Sequence, residues 1–250
     1  MSDGNFRQER ATELSRLATA LRKSQLSCDI GELNSAASNC MESTGGGDTW
    51  GYSTERVIFN GPDEPDKIIP NDASLSKIAL SVTLEGVCNE DDSTDPLNDL
   101  GVDIEIFAKG DGGNRLKPVW YMDRFESSLP RIKTPVHPNY HFQFGGIKSK
   151  NLNTGEMVVA SAPRLAHPPM DISLAIDFVL SNFFHDIWID LRLNSGQYFN
   201  VVKKAQRLFW RPYVNASGEG WDRVSEIYPW QVVQVWPQLI PEDGIDDLHD

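Results

Sequence analysis

The chain has 250 residues, an apolar content of 40% and a formal net charge of −13. This length allows one large domain or two small ones, and the negative charge argues against non-specific binding of nucleic acid. No apolar run approaches the length of a membrane span, and the first residues, Met-Ser-Asp-Gly, lack the pattern of a signal peptide. Three scattered cysteines without a CxxC pair predict reduced thiols in a cytoplasmic protein.

The N-terminal part begins with a predicted helix and a predicted loop. Residues 5–24 carry Leu14, Leu17 and Leu21 at helical spacing, which indicates a packing helix, with a dimerisation helix as the alternative. Residues 34–55 are small and polar and include a run of three glycines, so we expect a flexible loop. The glycines lack the Gly-Lys-Ser/Thr ending of a phosphate-binding loop.

Five segments in the middle of the chain have the patterns of β-strands. Apolar and polar residues alternate over 77–87, 101–107 and 139–144, whereas 117–124 is apolar on both faces and 157–160 is short. Turn sequences separate these segments, which predicts an antiparallel meander.

Helices are predicted after the strands. Asp171 stands where it can cap a buried helix over 172–184, and residues 195–210 show an apolar face opposite a basic stripe. The chain ends in an acidic tail, residues 241–250. We therefore predict a single α+β domain over residues 1–250. Its mainly antiparallel sheet of five or more strands is flanked by an N-terminal helix and C-terminal helices.

The segment His-Pro-Asn-Tyr-His-Phe-Gln-Phe-Gly-Gly, which begins at His137, carries the first candidate site residues. On a strand, Tyr140, Phe142 and Phe144 point to one face, while His141 points to the other and His137 shares its phase. We expect the aromatic face to enter the core and the polar face to form a site. On this interpretation, replacing His141 by alanine would cost little stability.

His167 can join these histidines if the next strand returns beside the first. Directly opposed residues of an antiparallel pair share a face, and a turn centred near Leu152 brings His167 opposite His137 or His141. A register one residue off would send His167 to the other face. We predict the shared face, with the rings of His141 and His167 close enough to bind one ion.

These residue types suit several kinds of chemistry. Imidazoles that share a face are nitrogen ligands for a divalent metal, with zinc the first choice. Two histidines acting as general acid and base, or a structural hydrogen-bonded network, are the alternatives. Arg164 could hold an anionic substrate group or form a surface ion pair, and Asp171 could take part in chemistry or only cap its helix.

The chain resembles a bacterial family of predicted hydrolases. The resemblance lies in the order of four residues, Cys88, Glu105, His141 and His167, and in the motifs His-Pro-Asn-Tyr-His-Phe-Gln-Phe-Gly-Gly and His-Pro-Pro-Met-Asp. That family is named for a cysteine, a glutamate and two histidines. Its members occur in antiphage-defence operons with ubiquitin-like conjugation components. The resemblance implies a metal-dependent hydrolase in which His141 and His167 are ligands, His137 or Cys88 completes the set, and Glu105 is a ligand or general base.

Two hypotheses about function follow. The first is a divalent-metal hydrolase of a defence operon, in which the metal lowers the pKa of a bound water and Arg164 holds the substrate. The second is a non-catalytic interaction module of a defence complex whose histidine face is a structural network. Ubiquitin-like conjugation proteins are the expected partners, a homo-oligomer is an open alternative, and neither a membrane nor nucleic acid is expected.

Overall fold

The computed structural model describes residues 3–42, 48–61, 73–88, 94–110, 115–124, 139–145 and 165–222. Within them the chain has the predicted α+β fold, in which two helices precede the strands in the sequence and the other helices follow them. The helices are α1 (Asp3–Lys23), α2 (Gly31–Met41), α3 (Ile172–Phe183), α4 (His185–Asn194), α5 (Gly196–Ala205) and α6 (Arg211–Asp222). The strands are β1 (Thr49–Asn60), β2 (Ala73–Val87), β3 (Leu97–Gly110), β4 (Arg115–Leu116), β5 (Val119–Arg124), β6 (Tyr140–Phe144) and β7 (Leu165–Ala166).

The sheet formed by the described residues has seven strands in the order β1-β2-β3-β5-β6-β7, with β4 paired to β3 beside this path. Every pair is antiparallel. Strand order therefore follows chain order, as expected for a meander joined by turns. Strands β1 and β7 lie at the two edges.

The two faces of the sheet differ in burial. In β3, Val102, Ile104 and Ile106 are buried, whereas Asp103 and Glu105 between them are only partly buried. Side chains alternate along a strand, so the predicted apolar stripe forms one face of β3. We call the face of Val102, Ile104 and Ile106 the helix side and the opposite face the far side.

Aromatic contacts join the helices to the helix side of the sheet. Trp50 of β1 lies edge-on to Phe6 of α1, with ring centroids 5.5 Å apart. The Trp50 ring also stacks on the Phe209 ring, with centroids 6.4 Å apart. The hydroxyl of Tyr52 accepts a hydrogen bond from the backbone N of Ile172 at 3.2 Å. The N-terminal helix, the first strand and the C-terminal helices thus share one core.

The prediction of a flexible loop over 34–55 is wrong at both ends. Helix α2 occupies its first part and strand β1 occupies its last part. The buried residues of α2 recur at helical spacing, and all but one have small side chains, which let α2 pack closely on α1 and β1. The residues concerned are Leu33, Ala36, Ala37 and Cys40.

The predicted C-terminal helices are confirmed with one change. The helix expected over 195–210 is α5 followed by a π-helical turn, Gln206–Trp210, which leads directly into α6. Its predicted apolar face is buried: Tyr198, Val201, Val202, Ala205, Leu208 and Phe209. The strand predicted at 157–160 and the tail at 241–250 lie outside the described residues.

A buried carboxylate connects three of the helices. Asp177 of α3 accepts hydrogen bonds through Oδ1 from Trp188 Nε1 and from the hydroxyl of Tyr198, each at 2.9 Å. Arg192 of α4 donates to both carboxylate oxygens, at 2.9 and 2.6 Å. This set of donors compensates the desolvation of a charge placed in an otherwise apolar helix.

Replacing Asp177 by alanine should destabilise the protein by about 3 kcal/mol, because it leaves the Arg192 cation without its carboxylate. Asp190→Ala, on the exposed part of α4, should change stability by no more than about 0.5 kcal/mol. Urea denaturation measures both values. Equal costs for the two variants would contradict the role of Asp177 as the link between the helices.

Candidate functional site

Strands β3, β5 and β6 bring polar side chains together on the far side of the sheet. Asp103 is paired with Tyr121, and Tyr121 is paired with Gln143. In the adjacent row, Asp123 is paired with His141. Paired residues of antiparallel strands share a face, so these five residues form one group, which we call the His141 network.

Two pairs of side chains in the His141 network interact directly. His141 Nε2 lies 2.9 Å from Asp123 Oδ1, and the Tyr121 hydroxyl donates a hydrogen bond to Gln143 Oε1. His141 is 1% exposed and Gln143 is 5% exposed, whereas Asp123 reaches the surface. An imidazole held by a carboxylate has a fixed orientation, which serves a structural network, a general base or a metal ligand.

The expected burial of strand β6 is only partly observed. Tyr140 is buried as predicted, but Phe142 is half-buried and Phe144 is 53% exposed. His141, expected on an accessible face, is almost fully buried. The prediction that His141 could be replaced at little cost is therefore not supported by its environment.

His167 lies on the other side of the sheet from His141, and the prediction of a shared face is wrong. Ala166 is the residue paired with His141, and the backbone N of His167 donates to the Tyr140 carbonyl at 3.4 Å. The His167 ring packs against Phe142 on the helix side, with centroids 5.7 Å apart. The register differs by one residue from the one that would place both imidazoles together.

The burial of His167 favours the neutral form of its imidazole. Burial lowers its pKa. Nδ1 lies 2.6 Å from the Pro168 carbonyl oxygen, which can only accept, so Nδ1 carries the hydrogen. Within the described part of the chain, no three His, Cys, Asp or Glu side chains are grouped so that they could hold a metal ion.

Glu105 faces the far side but stands apart from His141. Gly101 lies in the row of Asp123 and His141, and Glu105 is four residues further along β3, roughly 13 Å at strand spacing. Its carboxylate accepts from Arg56 Nη2 at 2.6 Å and from Lys117 Nζ at 2.5 Å. Partial burial opposes ionisation, but these two cations outweigh it and lower the pKa of Glu105.

Cys88 and Asp171 also have separate places. Cys88 follows β2, and two strands, β3 and β5, lie between β2 and the strand of His141, β6. The backbone N of Cys88 donates a hydrogen bond to the Asp48 carbonyl oxygen at 2.6 Å. Asp171 caps α3 as predicted, accepting from the backbone N of Leu174 at 2.9 Å. Burial raises the pKa of Asp171 to about 6.

His137 and Arg164 lie outside the described residues, so their predicted roles stay predictions. The sequence pattern did not identify Asp103, Tyr121 and Asp123 as members of the network. Their signal was position alone: Tyr121 and Asp123 share one strand phase of β5, the phase that pairs with Gln143 and His141.

Comparison of the sequence with protein-family models, curated proteins and solved structures finds no match in any of the three. In the part of the chain that the structure describes, no helix combines the length and the apolar composition needed to span a bilayer.

His141→Ala should lower the free energy of unfolding by about 2–3 kcal/mol, because it opens a space at a buried position and removes the imidazole from the Asp123 carboxylate. His185→Ala, at an exposed position of α4, is the matched control and should cost less than about 1 kcal/mol. Chemical denaturation checks both. A loss for His141→Ala as small as that of the control would show that the network is not structural.

The stability of the fold should depend on pH through Asp171. An unfolded aspartate titrates near about 3.9, so between about pH 4 and 6 the folded chain binds more protons, and stability falls as pH rises. Asp171→Asn keeps a capping side chain but cannot titrate. The free energy of unfolding of wild type, relative to that of this variant, should fall by roughly 2 kcal/mol from pH 4 to pH 7 in urea denaturation. An unchanged difference would contradict the raised pKa.

Proposed function

We propose that this protein is a non-catalytic interaction module in which the His141 network is structural. The observation that carries the proposal is the environment of His141, which is 1% exposed and 2.9 Å from the Asp123 carboxylate. A buried polar group with a partner fixes strand pairing and side-chain packing. A catalytic base, by contrast, must reach a substrate proton.

The other candidates support the same proposal, because each one has a separate location and a structural contact. His167 packs on Phe142, Glu105 is held by two cations, and Asp171 caps a helix. A divalent metal needs three or more ligands at one point. The described members of the predicted ligand set do not provide that arrangement.

The setting of this module is proposed from the sequence. The family resemblance supports a bacterial antiphage-defence complex with ubiquitin-like conjugation components. None of the three cysteines forms a disulfide within the described residues, which agrees with a reducing cytoplasm.

A divalent-metal hydrolase is the second candidate, and one observation favours it. Metal-ligating histidines commonly donate their other ring N–H to a carboxylate, and Asp123 stands in that position beside His141. His137, which with Cys88 was one of two residues expected to complete the ligand set, shares the strand phase of His141, and zinc is the metal that such a site would prefer. Arg164 would then hold an anionic group of the substrate.

Elemental analysis of protein purified without an affinity tag separates the two functions. We expect less than about 0.1 equivalent of any divalent metal, since a built site would retain its ion through purification. EDTA should leave the melting temperature unchanged. Near-stoichiometric metal that is lost in His141→Ala but kept in His167→Ala, the variant on the other face, would contradict the proposal and show a metal site that includes His141.

A further inference from the structure

Three cations surround one aromatic ring on the far side of the sheet. The Phe107 ring centroid lies 5.0 Å from Lys77 Nζ, 5.2 Å from Lys117 Nζ and 5.6 Å from Arg56 Cζ. Lys77 is the β2 residue paired with Phe107, so the two share a face, and Glu105 is the next residue of β3 on that face. We call these five residues the cationic patch.

The charge of the cationic patch is opposite to that of the chain. Glu105 accepts from both Arg56 and Lys117, at 2.6 and 2.5 Å. Three cations against this one carboxylate leave a formal surplus of +2, in a chain whose net charge is −13. Among the described residues, Lys77 has no carboxylate partner.

The cations are accessible and already ordered. Half of the Arg56 side chain and a third of Lys117 are exposed, at 50% and 33%. The Phe107 ring contacts both side chains and holds them in place. Long cationic side chains lose conformational entropy when they bind, so holding them beforehand favours association.

We propose that the cationic patch docks a short acidic segment of a partner protein, an inference that rests on the proposed interaction function. Glu105 shows the geometry, since one carboxylate bridges Arg56 and Lys117. An incoming carboxylate binds Lys77 and competes with Glu105 for the other two cations. The partner therefore presents two or more aspartates or glutamates, which match the surplus charge of the patch.

A nucleic acid suits this surface less well than an acidic peptide. Proteins that bind nucleic acid neutralise a series of phosphates along an extended basic track. The patch is compact, with its three cations gathered around one ring. The net charge of −13 would also repel a long polyanion beyond the patch.

Binding of a fluorescein-labelled deca-glutamate peptide, measured by anisotropy at low salt, tests the proposal. Wild type should bind it, and Lys77→Glu combined with Lys117→Glu should weaken binding by about tenfold or more. Glu105→Gln should strengthen binding several-fold, because it removes the internal competitor. The milder pair Lys77→Gln and Lys117→Gln keeps the test valid if the charge reversal impairs folding.

The matched control is Lys203→Glu, which alters a lysine 6.0 Å from the Phe199 ring on α5, away from the patch. It should leave peptide binding unchanged. Absence of binding to wild type would overturn the proposal. So would an equal loss in Lys203→Glu, or tighter binding of a ten-nucleotide oligothymidylate through the same lysines.

The docking proposal and the proposed function fail in different experiments. If the peptide does not bind and the purified protein contains no metal, only the docking role of the cationic patch is wrong. If the protein contains metal bound through His141, the interaction module is wrong whatever the peptide does.

Discussion

The pairing of β7 with β6 determines on which side of the sheet each histidine lies. His141 is paired with Ala166, and His167 donates its backbone N–H to the Tyr140 carbonyl. Because side chains alternate along strands, the two imidazoles lie on opposite sides. A shift of one residue would have placed them together. With this register, His141 is matched to Asp123 on the far side, while His167 lies among aromatic rings on the helix side.

Two carboxylates, one buried and one half-buried, are paired with cations within the fold. Asp177 holds Arg192 between helices, and Glu105 holds Arg56 and Lys117 across the sheet. Such pairs are needed because an uncompensated charge away from water is costly. The surplus positive charge of the cationic patch lies at the surface, where a partner can reach it.

Much of the fold was predictable because its signals are local. Alternation predicted the central strands, helical spacing predicted the buried face of α5, and Asp171 marked the start of α3. The candidate site was less predictable, because register and burial depend on non-local packing. The pattern assigned His141 to a polar face but could not show that this face is buried there. Asp123 was missed because β5 is largely apolar on both faces, which hid its pairing with His141.

The most direct test of the account is the set of NMR contacts made by the ring protons of His167. The account predicts nuclear Overhauser effects between the rings of His167 and Phe142, whose centroids are 5.7 Å apart. It also predicts none between His167 and His141, because the sheet separates the two rings. Cross-peaks joining the two imidazoles would show the alternative register. That result would contradict the structural role given to His141 and restore a shared site for both histidines.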